Sequence, residues 1–279
     1  MMSLYHDVCG KCSQAVTQTY STSFYSAIQL LHKDLRQPIH GIYGFVRFAD
    51  EIADTFHDYN KPELLQDFKD CTWKALNDRI SLNPILHSLQ AVVHQYNIPH
   101  VLIKDFLYSM EMDLYKKEYT TYTELDKYIY GSAEVVGLMC LCVFCEGNIQ
   151  QYEDLKESAS RLGAAFQKVN FLRDLHADTN NLQRNYFPRL SGREHSIVAK
   201  KHIEDDIEAD FQASIPGIRK LSSKARYGVY TAYKYYYTLF NKIRKTHPEV
   251  ILTKRIRVPD YQKLFIMLQA SMYNRLNLI

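Results

Sequence analysis

Glycine and proline are scarce, ten and eight in 279 residues. Tight turns draw heavily on both, so a sheet protein rich in turns is disfavoured. Helix-period apolar patterning runs along nearly the whole chain, and the expected fold is all-α. No apolar run reaches the roughly 20 residues of a membrane span. The greasiest stretch, VVGLMCLCVF at 135–144, is about half that length and reads as a buried core helix. The opening MMSLYHDVCGKC has no basic segment followed by an apolar one and is too acidic for a transit peptide. A cytoplasmic location is the resulting expectation. An excess of one charge is also missing, and a net +3 gives no reason to expect a nucleic-acid partner. No G-x-G-x-x-G opens a helix after a strand, so no dinucleotide-binding unit is expected. Gly/Ser linkers, low-complexity tracts and sequence repeats are absent, which favours one domain over residues 1–279.

What the chain does contain is 46% hydrophobic and 23% charged residues, the balance of a globular protein with a sizeable core. Six cysteines include two C-x-x-C pairs, Cys9/Cys12 and Cys142/Cys145. A four-thiolate zinc site needs those pairs to meet. Cys140, Cys142 and Cys145 lie in the apolar stretch, and the preferred reading is that they are small core hydrophobes. Periodicity and turn residues predict helices over about 11–32, 38–57, 62–80, 84–96, 99–115, 121–146, 151–177, 196–213, 216–245 and 260–277. The segment YFPRLSGREHS at 186–196 reads as a loop.

Two helices carry an unusual polar stripe. At roughly 100° per residue, Tyr43, Arg47 and Asp54 fall within about 60° of Asp50. Ile42, Phe45, Ala49 and Ile52 take the opposite flank. In the second helix Gln167, Asn170 and Asp178 lie within about 40° of Asp174. An ordinary solvated face interleaves Lys and Glu; these stripes instead offer amide and carboxylate oxygens, the ligands that Mg²⁺ takes beside substrate phosphate. Arg47 and Arg173 add fixed positive charge with a phosphate-matching fork. Spacing alone leaves two readings open, a metal–diphosphate site and a pair of exposed helix faces with chance i, i+4 acids.

Five segments, in order, resemble the squalene and phytoene synthases, which join two isoprenoid diphosphates head to head. YSTSF (20–24), YGFVRFADEIAD (43–54), YIYGSAEVVGLM (128–139), FQKVNFLRDLHAD (166–178) and QRNYFP (183–188) are similar to that family's signatures. The resemblance implies an isoprenoid-synthase-type helical bundle around a central cavity. It implies Mg²⁺, with Mn²⁺ as a substitute, on Asp50, Asp54, Asn170, Asp174 and Asp178, with Gln167 beside them. It implies that Tyr20, Ser21, Ser23, Tyr43, Arg47 and Arg173, and from the later segments Tyr186, Tyr236 and Arg257, meet diphosphate or its surroundings. Departures from the pattern are Glu51 for the commoner Asp, Glu134 where a small residue is usual, and no Gly before Arg184.

The activity implied is condensation of two geranylgeranyl diphosphates to phytoene through a cyclopropylcarbinyl diphosphate. The alternatives are a dehydrosqualene or squalene synthase acting on two farnesyl diphosphates, and a non-catalytic assembly factor. NADPH is expected only if the product is squalene. Carbocation chemistry needs unreactive walls, and Phe24, Tyr25, Tyr43, Phe48, Phe166 and Phe171 could supply them, although ordinary core packing is the preferred reading for most of these. The Tyr-rich run at 227–240 reads as a core helix instead. Isoprenoid diphosphates are the expected partners; the basic stretch KIRKTHPEVILTKRIRVP reads equally as a peripheral membrane contact or as a solvated basic face.

Overall fold

The computed structural model describes residues 2–177, 184, 186–188, 197–251, 253 and 255–275. The helices are α1 (Met2–Tyr20), α2 (Thr22–Ile28), α3 (Lys33–Asp54), α4 (Lys61–Asp78), α5 (Pro84–Gln95), α6 (His100–Tyr115), α7 (Tyr122–Ile129), α8 (Val135–Phe144), α9 (Ile149–Ala177), α10 (Ile197–Lys220), α11 (Ser223–Arg244), α12 (Pro248–Ile251) and α13 (Asp260–Arg275). The fold is all-α, as the composition implied.

Local chemistry sets most of the helix starts. Asn60 and Asn83 accept backbone N–H bonds from the first turns of α4 and α5, each with a proline in that turn. Thr121 caps α7 by accepting from the Glu124 N–H, and the Glu124 carboxylate reaches back to the Thr120 N–H at 3.0 Å. Three sequence expectations are corrected. The helix expected over 11–32 is two, because Ser21 leaves helical geometry and its Oγ accepts from the Phe24 N–H at 3.2 Å. Helix α3 begins at Lys33, not 38, and carries Pro38 inside it, because the burial of its apolar face outweighs the one intrahelical bond, to the Asp34 carbonyl, that proline cannot make. The break expected at 213–216 falls at Leu221–Ser222, and α10 runs through Pro216 while packing along α9, the most extensive helix pair in the molecule.

The expected 121–146 helix is continuous over Tyr122–Phe144 but contains a π-helical turn, Tyr130–Glu134, between α7 and α8. Such a turn inserts one residue and shifts the helix face, and it is common at functional sites. Beside it α9 crosses at backbone contact. A Cβ at Gly163 would lie 2.7 Å from the Ala133 carbonyl oxygen, and one at Gly137 2.9 Å from that of Ala159. Only glycine permits that approach. The Tyr122–Phe144 stretch is long and apolar enough to cross a membrane by length and composition, and 56% of its apolar 18-residue window is buried inside the protein.

Two apolar clusters form the core. One joins α3, α5, α6 and α8 through residues such as Leu35, Phe45, Leu86, Phe106 and Met139. The other joins α9, α10 and α11 through Val169, Leu172, Ile207, Phe211 and Phe240. Cys9, Cys142 and Cys145 are buried, and burial pushes the Cys140 and Cys142 thiols up to about 12 and Cys145 up to about 11. They are core side chains, protonated at neutral pH.

Candidate active site

Between the two clusters lies a cavity of about 520 Å³. Its chemistry changes along the helices that wall it. On α3 the lining residues run Ile39, Ile42, Tyr43, Val46, Arg47, Asp50, Asp54. On α9 they run Leu155, Ala159, Leu162, Phe166, Gln167, Asn170, Arg173, Asp174. At 1.5 Å per residue these gradients from hydrocarbon to charge span about 22 and 28 Å. Both polar stripes face this one cavity, whose shape and polarity suit a long apolar chain with an anionic head.

On the α3 side three carboxylates crowd together. Asp50 is pushed up to about 8, first because protein surrounds it and then by Asp54 and Asp113, with Arg47 and Arg184 opposing. Its accessible surface opens into the cavity, so bulk water does little to relieve it. Asp113 of α6 is raised to about 7, again chiefly by burial, and takes a 2.7 Å bond from the Tyr128 hydroxyl. Arg184, itself buried, ties this group together. It donates to Asp54 Oδ1 at 2.6 Å, to the Asp113 carbonyl at 2.8 Å and to the Tyr186 hydroxyl at 3.3 Å. Arg47 pairs with Glu51 and lies over the Tyr20 ring at 4.4 Å, while its Nε is buried without a partner. Glu51 thus holds a guanidinium at the rim, although it stands off the stripe that the helical wheel draws.

On the α9 side Asp174 is held by two arginines. Arg173 bonds it through Nε at 3.0 Å, and Arg255 through Nε at 2.8 Å. The Tyr236 hydroxyl donates to Asn170 Oδ1 at 3.3 Å, and Gln167 reaches Ser132 Oγ at 3.5 Å. An aromatic wall adjoins this rim. Phe166 stacks on Tyr236 with centroids 4.0 Å apart, Phe24 lies 5.6 Å from Tyr236 and 6.0 Å from Tyr43, and Phe171 stacks on Tyr186 at 3.9 Å.

Of the residues singled out in the sequence, Tyr20, Ser21, Tyr43, Arg47, Asp50, Asp54, Gln167, Asn170, Arg173, Asp174, Tyr186 and Tyr236 line the cavity. Asp178 lies outside the described residues, as does most of the segment before Arg184. Ser23 and Arg257 are not part of the lining. Arg257 is exposed, and its carbonyl accepts from Lys242 at 2.6 Å; Arg255, two residues earlier in the same non-helical stretch, occupies the rim. Tyr25 and Phe48 are packing residues and do not line the cavity: Tyr25 lies 5.9 Å from the His40 ring, and Phe48 packs on the first core cluster. Within the Tyr-rich helix, Tyr236 lines the cavity, while Tyr233 and Tyr235 stay in the core as that run was read. Glu134 borders a separate surface pocket with Arg161 and Lys168, so it does not shape this cavity. Asp113, Tyr128, Arg184 and Arg255 were missed. Arg184 and Tyr128 stand inside motif segments, whereas Asp113 has no spacing partner that would mark it.

Among the described residues no three of His, Cys, Asp and Glu gather as a metal site. The donors present nonetheless fit a hard cation. They are all oxygens, on two helices facing one cavity, and the crowding that raises Asp50 is what a divalent cation relieves.

Residues 17–262 match the squalene/phytoene synthase family model, and the chain belongs to that family, whose members are head-to-head prenyltransferases. Among curated proteins it is similar to the 15-cis-phytoene synthase of Synechocystis sp., at 28% identity over 92% of this chain and 82% of that one. It is similar to the 15-cis-phytoene synthase of Paracoccus sp., at 24% identity over 85% and 82%. The chloroplastic phytoene synthase of Daucus carota is 28% identical over 93% of this chain, which spans 68% of the carrot protein. A ligand-bound dehydrosqualene synthase has the same fold, with a TM-score of 0.82, 20% identity and coverage of 97% of this chain and 98% of that one. The squalene synthase HpnC of Alicyclobacillus acidocaldarius superposes with a TM-score of 0.75 at 17% identity over 87% and 95%.

Proposed function

We propose that the chain is a phytoene synthase, which condenses two geranylgeranyl diphosphates head to head through a cyclopropylcarbinyl diphosphate. The observation that carries this reading is the double gradient, in which two walls of one cavity run from hydrocarbon to a rim of acids, amides and arginines. The 20-carbon substrate is taken from the phytoene synthases among the relatives.

In this reading the apolar length holds the prenyl chains and excludes water from an allylic cation. The rings of Phe24, Phe166 and Tyr236 face the cation without offering it a nucleophile. Arg47, with its unpartnered Nε, and Arg173 and Arg255 hold diphosphate oxygens. Asp50 and Asp54 from α3, with Asn170, Asp174 and Asp178 from the α9 segment, would hold Mg²⁺. Bound there, Mg²⁺ supplies charge neutralisation of the departing diphosphate. Arg184 and Tyr128 keep Asp54 and Asp113 in place beneath the rim. Each ionisation releases one diphosphate, and two proton losses complete the route to phytoene.

Incubation with Mg²⁺ and either geranylgeranyl or farnesyl diphosphate, with and without NADPH, tests the proposal by product mass. A 40-carbon hydrocarbon with a central conjugated triene, formed without NADPH, is expected. Turnover of the 15-carbon substrate alone would move the chain to the dehydrosqualene reaction, or to squalene if NADPH is required. No turnover of either by folded protein would favour the assembly-factor reading.

A further inference from the structure

Helix α13 buries one side and exposes an apolar stripe on the other. Ile266 and Ala270 pack inward, with Ile266 in a small cluster with Ala27 and Tyr235. Tyr261, Leu264, Phe265, Leu268 and Met272 are between 51% and 71% exposed. On the helical wheel those five occupy an arc of about 100°, opposite Ile266 and Ala270. A solvated helix face carries charge there; from Tyr261 to Met272 this one carries two aromatic and three aliphatic side chains and no ion, and Arg275 follows in the same arc at the C-terminal end. The stripe from Tyr261 to Met272 runs about 16 Å along the helix.

Charge and position identify the occupant. From residue 242 to 279 eight Lys and Arg stand against two Asp and Glu, a net +6, while the rest of the chain carries −3. The basic residues therefore concentrate on the segment that leads into and through α13. Lys242, Lys245, Arg255 and Arg257 are all exposed on that approach. The helix is also anchored at the cavity. Lys263 donates to Thr22 Oγ1 at 3.0 Å, next to Ser21 on the rim, and Ala27 and Ala232 face the cavity while packing in the α13 cluster. A second copy of the chain would present the same basic surface to itself. An anionic bilayer complements both the charge and the stripe.

We infer that α13 is an interfacial helix that seats the protein on an anionic phospholipid surface, its apolar stripe at the acyl boundary and the basic 242–263 segment over the headgroups. The cavity then opens beside the membrane. The argument draws on the proposed function only for the lipid nature of the cargo, and binding is measured without substrate, so its failure leaves the proposed reaction standing.

The test is sedimentation with vesicles of phosphatidylcholine alone and of phosphatidylcholine mixed with phosphatidylglycerol. The intact chain is expected to bind the mixed vesicles at least tenfold more tightly than the neutral ones, with affinity falling as salt rises. Phe265→Glu/Leu268→Glu is expected to lose at least tenfold on the mixed vesicles while keeping helix content and turnover of detergent-dispersed substrate. Leu264→Ser/Phe265→Ser serves the same purpose without adding charge. Failure of the intact chain to bind, or equal binding by both variants, overturns the inference. So does a dimer in lipid-free solution that both variants convert to monomer, which would assign the stripe to a second copy.

Discussion

Asp50→Asn separates the chemistry of the rim from its folding cost. In the metal-free protein Asp50 titrates near 8, against about 4 in an unfolded chain. A raised carboxyl pKa means the folded state holds its proton longer than the unfolded one. Stability conferred at low pH is therefore lost as pH climbs from about 4 to about 8. Between pH 5 and 8 that is some three units at about 1.4 kcal/mol each, a ceiling of about 4 kcal/mol. The arginines are already included in that value; water held in the cavity screens the ionised form, and about 2 kcal/mol is the working expectation. Asn keeps the shape and cannot ionise, so its contribution is flat with pH. Asp113, which is raised as well, titrates in both proteins, and loss of the Asp50 charge eases its ionisation, which widens the gap in the same direction. Urea unfolding with chelator present, at intervals from pH 5 to 9, measures this. The gap should open in favour of Asp50→Asn as pH rises, and Mg²⁺ with pyrophosphate should reverse it by stabilising only the unsubstituted protein. Parallel pH profiles would show that Asp50 ionises freely, and the argument from a crowded, enclosed rim would fail.

Asp50→Asn and Asp174→Asn should each reduce turnover by at least a thousandfold with circular dichroism unchanged; a collapsed spectrum would mark the acids as structural. Arg184→Met should cost about 3 kcal/mol by denaturant unfolding, because it leaves Asp113 buried without its counter-charge. That cost should be smaller at pH 5, where Asp113 takes up a proton. Gly163→Val should cost about 1–3 kcal/mol, since a Cβ already lies 2.7 Å from the Ala133 carbonyl oxygen and the α8–α9 crossing must open.

Long helices were legible because their apolar period is strong and their caps are chemical. The Asn-Pro pairs before α4 and α5 are explicit start signals, although Asn60 is separated from Pro62 by Lys61. The errors fall where a local rule meets tertiary packing. Pro38 and Pro216 were read as boundaries, yet each sits inside a helix whose burial outweighs one lost hydrogen bond. The π turn at 130–134 carries no periodic mark, because it changes phase by a single residue. In the site, helix phase grouped Asp50 with Asp54 and Asn170 with Asp174; bringing the two groups to one cavity was an expectation from the family resemblance, and the structure puts all four on its lining. Helix phase had no purchase on Arg255, which comes from a non-helical stretch, or on Asp113, which reaches the group alone from α6. Glu51 shows the limit of wheel geometry: its side chain meets Arg47 one turn away, and so acts at a rim its own position does not face.

Calorimetric titration with Mg²⁺ and a non-hydrolysable geranylgeranyl thiodiphosphate bears most directly on whether α3 and α9 share cations around one diphosphate. Affinity should depend on Mg²⁺ and fall at least tenfold in Asp50→Asn and, separately, in Asp174→Asn. Binding that ignores Mg²⁺, or that is weakened by substitution on only one of the two helices, would contradict the account.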